Sequence, residues 1–336
     1  MDSQMIFREL LASEFESARE LFQSVFKKEA LASWWTWKYK GQGLLDSVNF
    51  GAFDSSGRLR AHVGALVSVA RDPSKSGKSD HRRRSERDPL LLPTVMIQVC
   101  DVMVEEALRG QRSNGLLYRD LMREFASLLT LRWPGGFAYG FPGKRPHRLG
   151  ERLGFYQPLA TYGLSPWQPN QEFIKPLGWT ELFDRIQDLR NVHQSFAGGA
   201  RDRLSVERSV DFLAWRYQRH PELAYSAWGF YQRSWFGKKF VGWIITRPWE
   251  GDKKLVVDGW LRGAGLMPAT PQVEPMKQDD WVIWAPDPVG ETNPIIAGQF
   301  RYRGDFSLQV GVDRLGRVRK SRFDQVRFTA GDTDVF

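Results

Sequence analysis

Seven consecutive positions, Arg109-Gly110-Gln111-Arg112-Ser113-Asn114-Gly115, hold two arginines, two glycines and two short polar side chains. An apolar, β-branched run ending at Val104 precedes them, and an amphipathic helical pattern follows, with Leu117, Leu121, Phe125 and Leu128 on one face. The start of a helix leaves backbone N–H groups unpaired and carries partial positive charge, so small residues there bring donors close to an anion. The run therefore has the chemistry of a phosphate or pyrophosphate cradle, with Arg109 and Arg112 adding charge-assisted contacts. The same residues also suit an ordinary strand-to-helix connection capped by Ser113 or Asn114.

The elements that must position this run are those of a globular chain. Its 336 residues are 42% hydrophobic and 26% charged, which excludes wholesale disorder and collagen-like repetition and suggests two domains. Forty-eight Lys and Arg against 39 Asp and Glu leave a net charge of +9, which points to an anionic partner: a phosphorylated cofactor, nucleic acid or an acidic surface. A lone Cys100 in an apolar run excludes an internal disulfide and suits a reducing cytoplasm. The N-terminus lacks the apolar core of a secretory signal, and no run is long enough to span a membrane. The five histidines show no ligand spacing, so no metal site is expected.

Periodicity gives the order of elements. A helix pair opens the chain, with Ser13 as N-cap and Leu21, Phe22, Val25 and Phe26 at helical spacing, followed by the aromatic segment Trp34 to Tyr39. Strands at Val48 to Phe53 and Arg60 to Ala70 are joined by the turn Asp54-Ser55-Ser56-Gly57. Residues 72–88 hold no apolar residue apart from Pro73 and read as a solvated basic loop; the P-loop-like Asp72 to Ser79 within it lacks the first glycine and the helix that motif requires. A strand from about Thr94 to Val104, a helix at about Asn114 to Thr130, a strand at Gly136 to Gly140 and a basic helix ending Arg152-Leu153-Gly154-Phe155 complete the first half. This is a mixed α/β layer structure.

Part of this unit recurs at a shift of 178 residues: Trp37-Lys38-Tyr39 becomes Trp215-Arg216-Tyr217, Phe50-Gly51 matches Trp228-Gly229, and Val63-Gly64 matches Val241-Gly242. The chain thus divides into a first domain over 1–165, a proline-punctuated linker over 166–200 and a second, related domain over 201–336. In the second copy, Val257 to Gly265 ends in another arginine- and glycine-rich turn, but Met267-Pro268-Ala269-Thr270-Pro271 cannot start a regular helix. That copy is read as degenerate, without a cofactor site, helping to form an acceptor cleft.

Three segments together, Val104 to Gln111 with its helix, Gly140-Phe141-Pro142-Gly143, and Arg152-Leu153-Gly154-Phe155-Tyr156, resemble the acyl-CoA-binding core of the GNAT N-acetyltransferase superfamily over roughly Met1 to Leu164. The Trp35-Thr36-Trp37-Lys38-Tyr39 segment and the closing Phe328 to Asp332 are similar to the tandem subgroup, which has a second GNAT-like half. The resemblance implies two GNAT-like modules, each a mostly antiparallel mixed sheet flanked by helices. It implies that Arg109, Gly110, Gln111, Arg112, Ser113, Asn114 and Gly115 hold the pyrophosphate of acetyl-CoA or another acyl-CoA, and that Met103 and Val104 pair with pantetheine. The activity implied is acyl transfer to an amine on a small molecule or saccharide.

This chain departs from the family pattern at Arg112 and Asn114, where glycine or alanine is usual, and at Gly150, where a tyrosine commonly serves as general acid. Asp101, Glu105 and Glu106, with Gln98 to orient water, are then the candidates for the base. Tyr156, Tyr139 and His147 are the candidate proton donors. Carboxylates beside a basic turn also form plain structural ion pairs, and a tyrosine such as Tyr156 is as readily a packing residue. The other classes weighed are a basic nucleic-acid-binding protein, which the charge alone would serve but the motifs disfavour, and a scaffold that keeps the fold without catalysis.

Overall fold

The computed structural model describes residues 5–71, 94–109, 115–167, 173–196, 204–261, 281–286 and 295–300. The expected loop at 72–88, the second arginine- and glycine-rich turn beyond Leu261 and the closing Phe328 to Asp332 lie outside them. The chain forms two compact units: 296–300 join the residues up to 159 in the first, and the described residues from 160 to 295 make the second.

In unit 1 the strands are β1 (Ile6–Glu9), β2 (Asp46–Phe53), β3 (Leu59–Arg71), β4 (Val95–Val104), β5 (Phe137–Gly140) and, returning from far along the chain, β13 (Ile295–Phe300). Order along the sheet is β1-β2-β3-β4-β5-β13. β1 to β4 are antiparallel, β4 and β5 are parallel, and β13 runs antiparallel to β5, with Gly298 opposite Gly140. Helices α1 (Phe15–Phe26), α2 (Ala32–Tyr39), α3 (Gly115–Arg132) and α4 (Lys144–Arg152) complete the unit. One face of the sheet buries Val63, Val67, Ile97 and Val99 against α3, where Leu117, Leu121 and Phe125 of the expected stripe are buried but Leu129 takes the place expected for the half-buried Leu128.

Two expectations for the N-terminus are corrected. A strand precedes the helices, since Ile6 to Glu9 pair with Phe53 to Phe50 of β2. Ser13 is not the cap: the Leu11 N–H donates instead to the Glu14 carboxylate at 2.8 Å, and that carboxylate is also bound by Arg8.

Unit 2 contains β6 (Tyr156–Pro166, from residue 160), β7 (Phe173–Leu177), β9 (Ser226–Ser234), β10 (Gly237–Pro248), β11 (Lys254–Leu261) and β12 (Trp281–Pro286), with helices α5 (Trp179–Phe196) and α6 (Val210–Leu213) and the two-residue β8 (Ser205–Val206). Its sheet order is β7-β9-β10-β11-β12-β6. β7 to β11 are antiparallel neighbours, β11 and β12 are parallel, and β6 is antiparallel to β12. Strand for strand, these are the directions of unit 1.

The repeated triplets fall on corresponding elements, Lys38-Tyr39 at the end of α2 and Trp215-Arg216-Tyr217 in a π-helical turn at Ala214–Gln218. The ungapped register does not carry into the strand pairing. Phe50 faces Val63 in unit 1, whereas Trp228 faces Ile244 in unit 2, because β9 and β10 run further beyond these residues before they turn than β2 and β3 do. β13, which the sequence places with the second half, pairs in unit 1, and β6 leaves unit 1 to pair with β12. No described helix is long and apolar enough to cross a membrane.

Candidate functional site

β4 is irregular where the chemistry is expected. His62 faces Met103 and Gly64 faces Cys100, so Val63 alone opposes Asp101 and Val102, a bulge on β4. Asp101 sits in the left-handed region, φ +47°, a conformation that Asp tolerates better than most side chains. Pairing of β4 with β5 extends over Met96, Ile97 and Gln98, facing Phe137, Ala138 and Tyr139. Beyond Gln98 the two strands share no further described pairs; Gly140 still lies against Val99, where an added Cβ would stand 3.0 Å from the Val99 carbonyl, and the strands part after that point.

The Asp101 carboxylate is held from α2. Lys38 Nζ donates to Oδ1 at 2.9 Å and lies 2.8 Å from Oδ2, while Tyr39 Oη donates to Oδ2 at 2.5 Å. The lysine and aspartate side chains are 1% and 6% exposed, so this is a buried ion pair, with both carboxylate oxygens engaged by Lys38 and Tyr39. Tyr39 can lie across β3 only because position 64 is glycine: a Cβ there would stand 2.1 Å from Tyr39 Oη. Burial above all, and then the Asp101 charge, push the Tyr39 hydroxyl well above its ordinary pKa.

Behind the ion pair lies His62, fully buried, with Nδ1 at 2.9 Å from the Asp101 carbonyl and Nε2 at 3.2 Å from Asn49 Oδ1. Burial lowers its pKa to about 4, with Lys38 adding to the fall against the opposing pull of Asp101. A histidine that binds its proton more weakly folded than unfolded gives stability that is complete above pH 6.5 and disappears as pH falls toward 4. The drop across that window is about 3 kcal/mol. Denaturant titrations at stepped pH should show it on top of a like contribution from His220, whose pKa burial and nearby arginines lower to about 3, so that His62→Gln should roughly halve the slope between pH 6.5 and 4.

Unit 2 repeats the device. Tyr217 Oη donates to Asp258 Oδ2 at 2.7 Å, Arg208 Nε donates to the same oxygen at 2.6 Å, and the Gly259 N–H donates to Oδ1 at 2.9 Å. Asp258 flanks a bulge on β11, where Ile245 and Thr246 face Asp258 and Val256. In both units the tyrosine of the repeated triplet thus binds an aspartate at a bulge beside the parallel strand pair. The cation comes from the triplet in unit 1 and from Arg208 in unit 2. The sequence repeat exposes the tyrosines; Asp101 stands out in the sequence as a candidate site residue, but Asp258 lies off the common shift and its correspondence to Asp101 shows only in three dimensions.

The other expected residues distribute as follows. Tyr156, at the start of β6, is buried with its ring on Gly150: a Cβ at 150 would meet Tyr156 Cδ2 at 2.2 Å, and one at Gly140 would lie 3.5 Å from Tyr156 Oη. Tyr156 therefore fills the space beside Gly150 and brings its hydroxyl to the point where β5 ends its pairing with β4. Burial, with smaller effects of Tyr118 and Cys100, raises its pKa well above 10. The His147 ring centroid is 6.2 Å from that of Tyr156, and His147 Nε2 is buried without a hydrogen-bond partner among the described residues.

Glu105 is taken up by Arg58 at 2.6 Å and Arg60 at 2.9 Å, and the exposed Glu106 lies 3.6 Å from Lys27. Tyr139 is buried and stacks on Phe137, and Gln98 is buried opposite Tyr139 in the ladder. Met103 is buried, and Arg109 is exposed, with its Nε donating to the Val104 carbonyl at 2.8 Å. Gly110, Gln111, Arg112, Ser113 and Asn114 lie outside the described residues, and Gly115 is the first residue of α3. Among the described residues no three His, Cys, Asp or Glu side chains gather as metal ligands.

No protein-family model matches the sequence, and no curated protein matches it. Solved structures do share its fold. One is a conserved protein of unknown function from Enterococcus faecalis V583, described as a probable N-acyltransferase: identity is 14%, 77% of this chain and 59% of that one are covered, and the TM-score is 0.55. Another is a GCN5-related N-acetyltransferase from Anabaena variabilis ATCC 29413, with 10% identity, 88% and 72% coverage and a TM-score of 0.50. The chain spans less than two thirds of the length of the first. At these identities the likeness is one of fold, a GNAT-like mixed α/β architecture.

Proposed function

We propose that the chain is an acyl-CoA-dependent N-acyltransferase of tandem GNAT-like build, transferring an acyl group, acetyl in the simplest case, to an amine on a small molecule or saccharide. The observation that carries this reading is the opened edge of β4 at a bulge, with the Tyr156 hydroxyl beside Gly140 where β4 and β5 part. An extended thioester arm needs an unpaired strand edge to hydrogen-bond, and the reaction needs a proton donor at the end of it. The two fold relatives named as acyltransferases agree with it.

Val104 and Met103 supply the strand edge, and Arg109 with Arg112 and the start of α3 supply charge for the pyrophosphate. The bound acyl-CoA contributes the activated carbonyl. As the neutral amine nitrogen forms its bond to that carbon and gives up one proton to solvent, the carbon–sulfur bond breaks and the departing sulfur takes a proton. Tyr156 suits that role by position, since its hydroxyl lies beside Gly140 where β4 and β5 part, and as a phenol it carries its proton at neutral pH. His147, adjacent to it, is the group able to restore the proton. Asp101 is assigned to positioning, since Lys38 and Tyr39 engage both its oxygens; it fixes the bulge and hence the open edge.

Calorimetry of the full chain with acetyl-CoA tests the reading. Replacing Arg109 and Arg112 together by Ala should weaken binding between several-fold and about a hundredfold, given about 1.5–3 kcal/mol for a hydrogen bond to a charged group less screening at an exposed site. A wild-type chain that does not bind acetyl-CoA, or a double variant that binds it equally well, overturns the proposal.

A further inference from the structure

The two-residue turn of the β9–β10 hairpin is Trp235-Phe236, and both side chains are as exposed as in an extended peptide, at 101% and 102%. Every residue from Gln232 to Lys239 is exposed. The described part of β7 begins at Phe173, opposite Tyr231, so the hairpin runs on for three residues, about 10 Å, past that point before it turns. Two adjacent aromatic rings fully in water are costly to maintain for a fold that gains nothing from them.

Charge identifies what would cover them. Between Glu222 and Glu250 the sequence has no acidic residue, and the turn is flanked by Arg233, Lys238 and Lys239. Lys238 Nζ sits 3.9 Å from the Phe173 ring centroid and the Arg233 guanidinium 5.9 Å from it, cation–π contacts that hold two of these charges at the base of the tip. The acid on the neighbouring helix, Glu181, is paired with Lys175 at 3.1 Å and lies 3.9 Å from Arg185, so it does not offset the charge at the tip. An apolar point only two rings wide inside a collar of cations matches an anionic bilayer surface: the rings enter the headgroup and acyl boundary, which is about 5–10 Å deep, and the cations stay at the phosphates.

We infer that the Trp235-Phe236 hairpin tip docks the protein peripherally on membranes of anionic lipid. This holds independently of the catalytic reading, and would bring the chain to an acceptor presented at a bilayer.

Co-sedimentation of the full chain with vesicles tests it. Binding to mixed phosphatidylcholine and phosphatidylserine vesicles should be at least about tenfold stronger than to phosphatidylcholine alone and should weaken with added salt. Trp235→Ser with Phe236→Ser should reduce it tenfold or more, and Lys238→Gln with Lys239→Gln by about tenfold, each with unchanged melting because these side chains are exposed. The inference is overturned if wild type ignores anionic vesicles, or if the tip variants bind as well as wild type, which would hand the binding to a basic segment such as Arg82-Arg83-Arg84. It is equally overturned if wild type does not sediment with vesicles and the tip variants instead convert a dimer to a monomer, which would make the tip a contact between copies.

Discussion

Replacing Lys38 by Met is expected to destabilise unit 1 by about 3–5 kcal/mol, the usual loss when one partner of a buried ion pair is removed and the other is left charged. The Asp101 carboxylate would keep only the Tyr39 hydrogen bond, at a position 6% exposed. Denaturant unfolding of the variant reads the loss directly. The double variant Lys38→Met with Asp101→Asn should recover much of it, since it removes the stranded charge as well. Recovery would show that the pair serves geometry, fixing the bulge, more than net stability. A single variant as stable as wild type would mean that water reaches Asp101.

Tyr156→Phe is expected to reduce turnover by about 10²–10⁴-fold, the range for loss of a positioned proton donor, once an amine acceptor is in hand. The ring that packs on Gly150 is retained, so melting and acetyl-CoA affinity should stay at wild-type values. Because burial holds the Tyr156 pKa well above 10, the wild-type rate should show no fall from loss of this proton below that pH. Unchanged turnover in the variant would assign Tyr156 to packing and pass the proton to His147 or solvent.

Local pattern made much of this architecture legible. Strand-like runs around a turn placed β2 and β3, the helical stripe placed α3, and Pro93 put the start of β4 near Thr94, one residue before the observed Val95. What escaped depends on partners remote in sequence. β1 has four residues and becomes a strand only by pairing with β2. The left-handed Asp101 leaves no mark in composition, and its role rests on Lys38 and Tyr39, some sixty positions earlier. Glu105 shows the converse: its place after a strand suggested a base, and only the approach of Arg58 and Arg60 reveals an ion pair. The Gly150 departure looked like a missing acid; the structure instead gives that space to the Tyr156 ring.

The return of β13 to β5 also sets a clock on the ribosome. Gly140 must wait for Gly298, 158 residues later, before that edge of its strand is paired. At about 5–20 residues per second, synthesis of that interval takes roughly 10–30 s. During this time unit 1 has its helices and most of its sheet, but one side of β5 presents bare backbone donors and acceptors, the condition under which strands recruit the wrong neighbour. A nascent chain stalled before residue 295 should therefore be more prone to chaperone capture and aggregation than the finished protein, and a fragment ending at residue 165 would carry the same defect permanently.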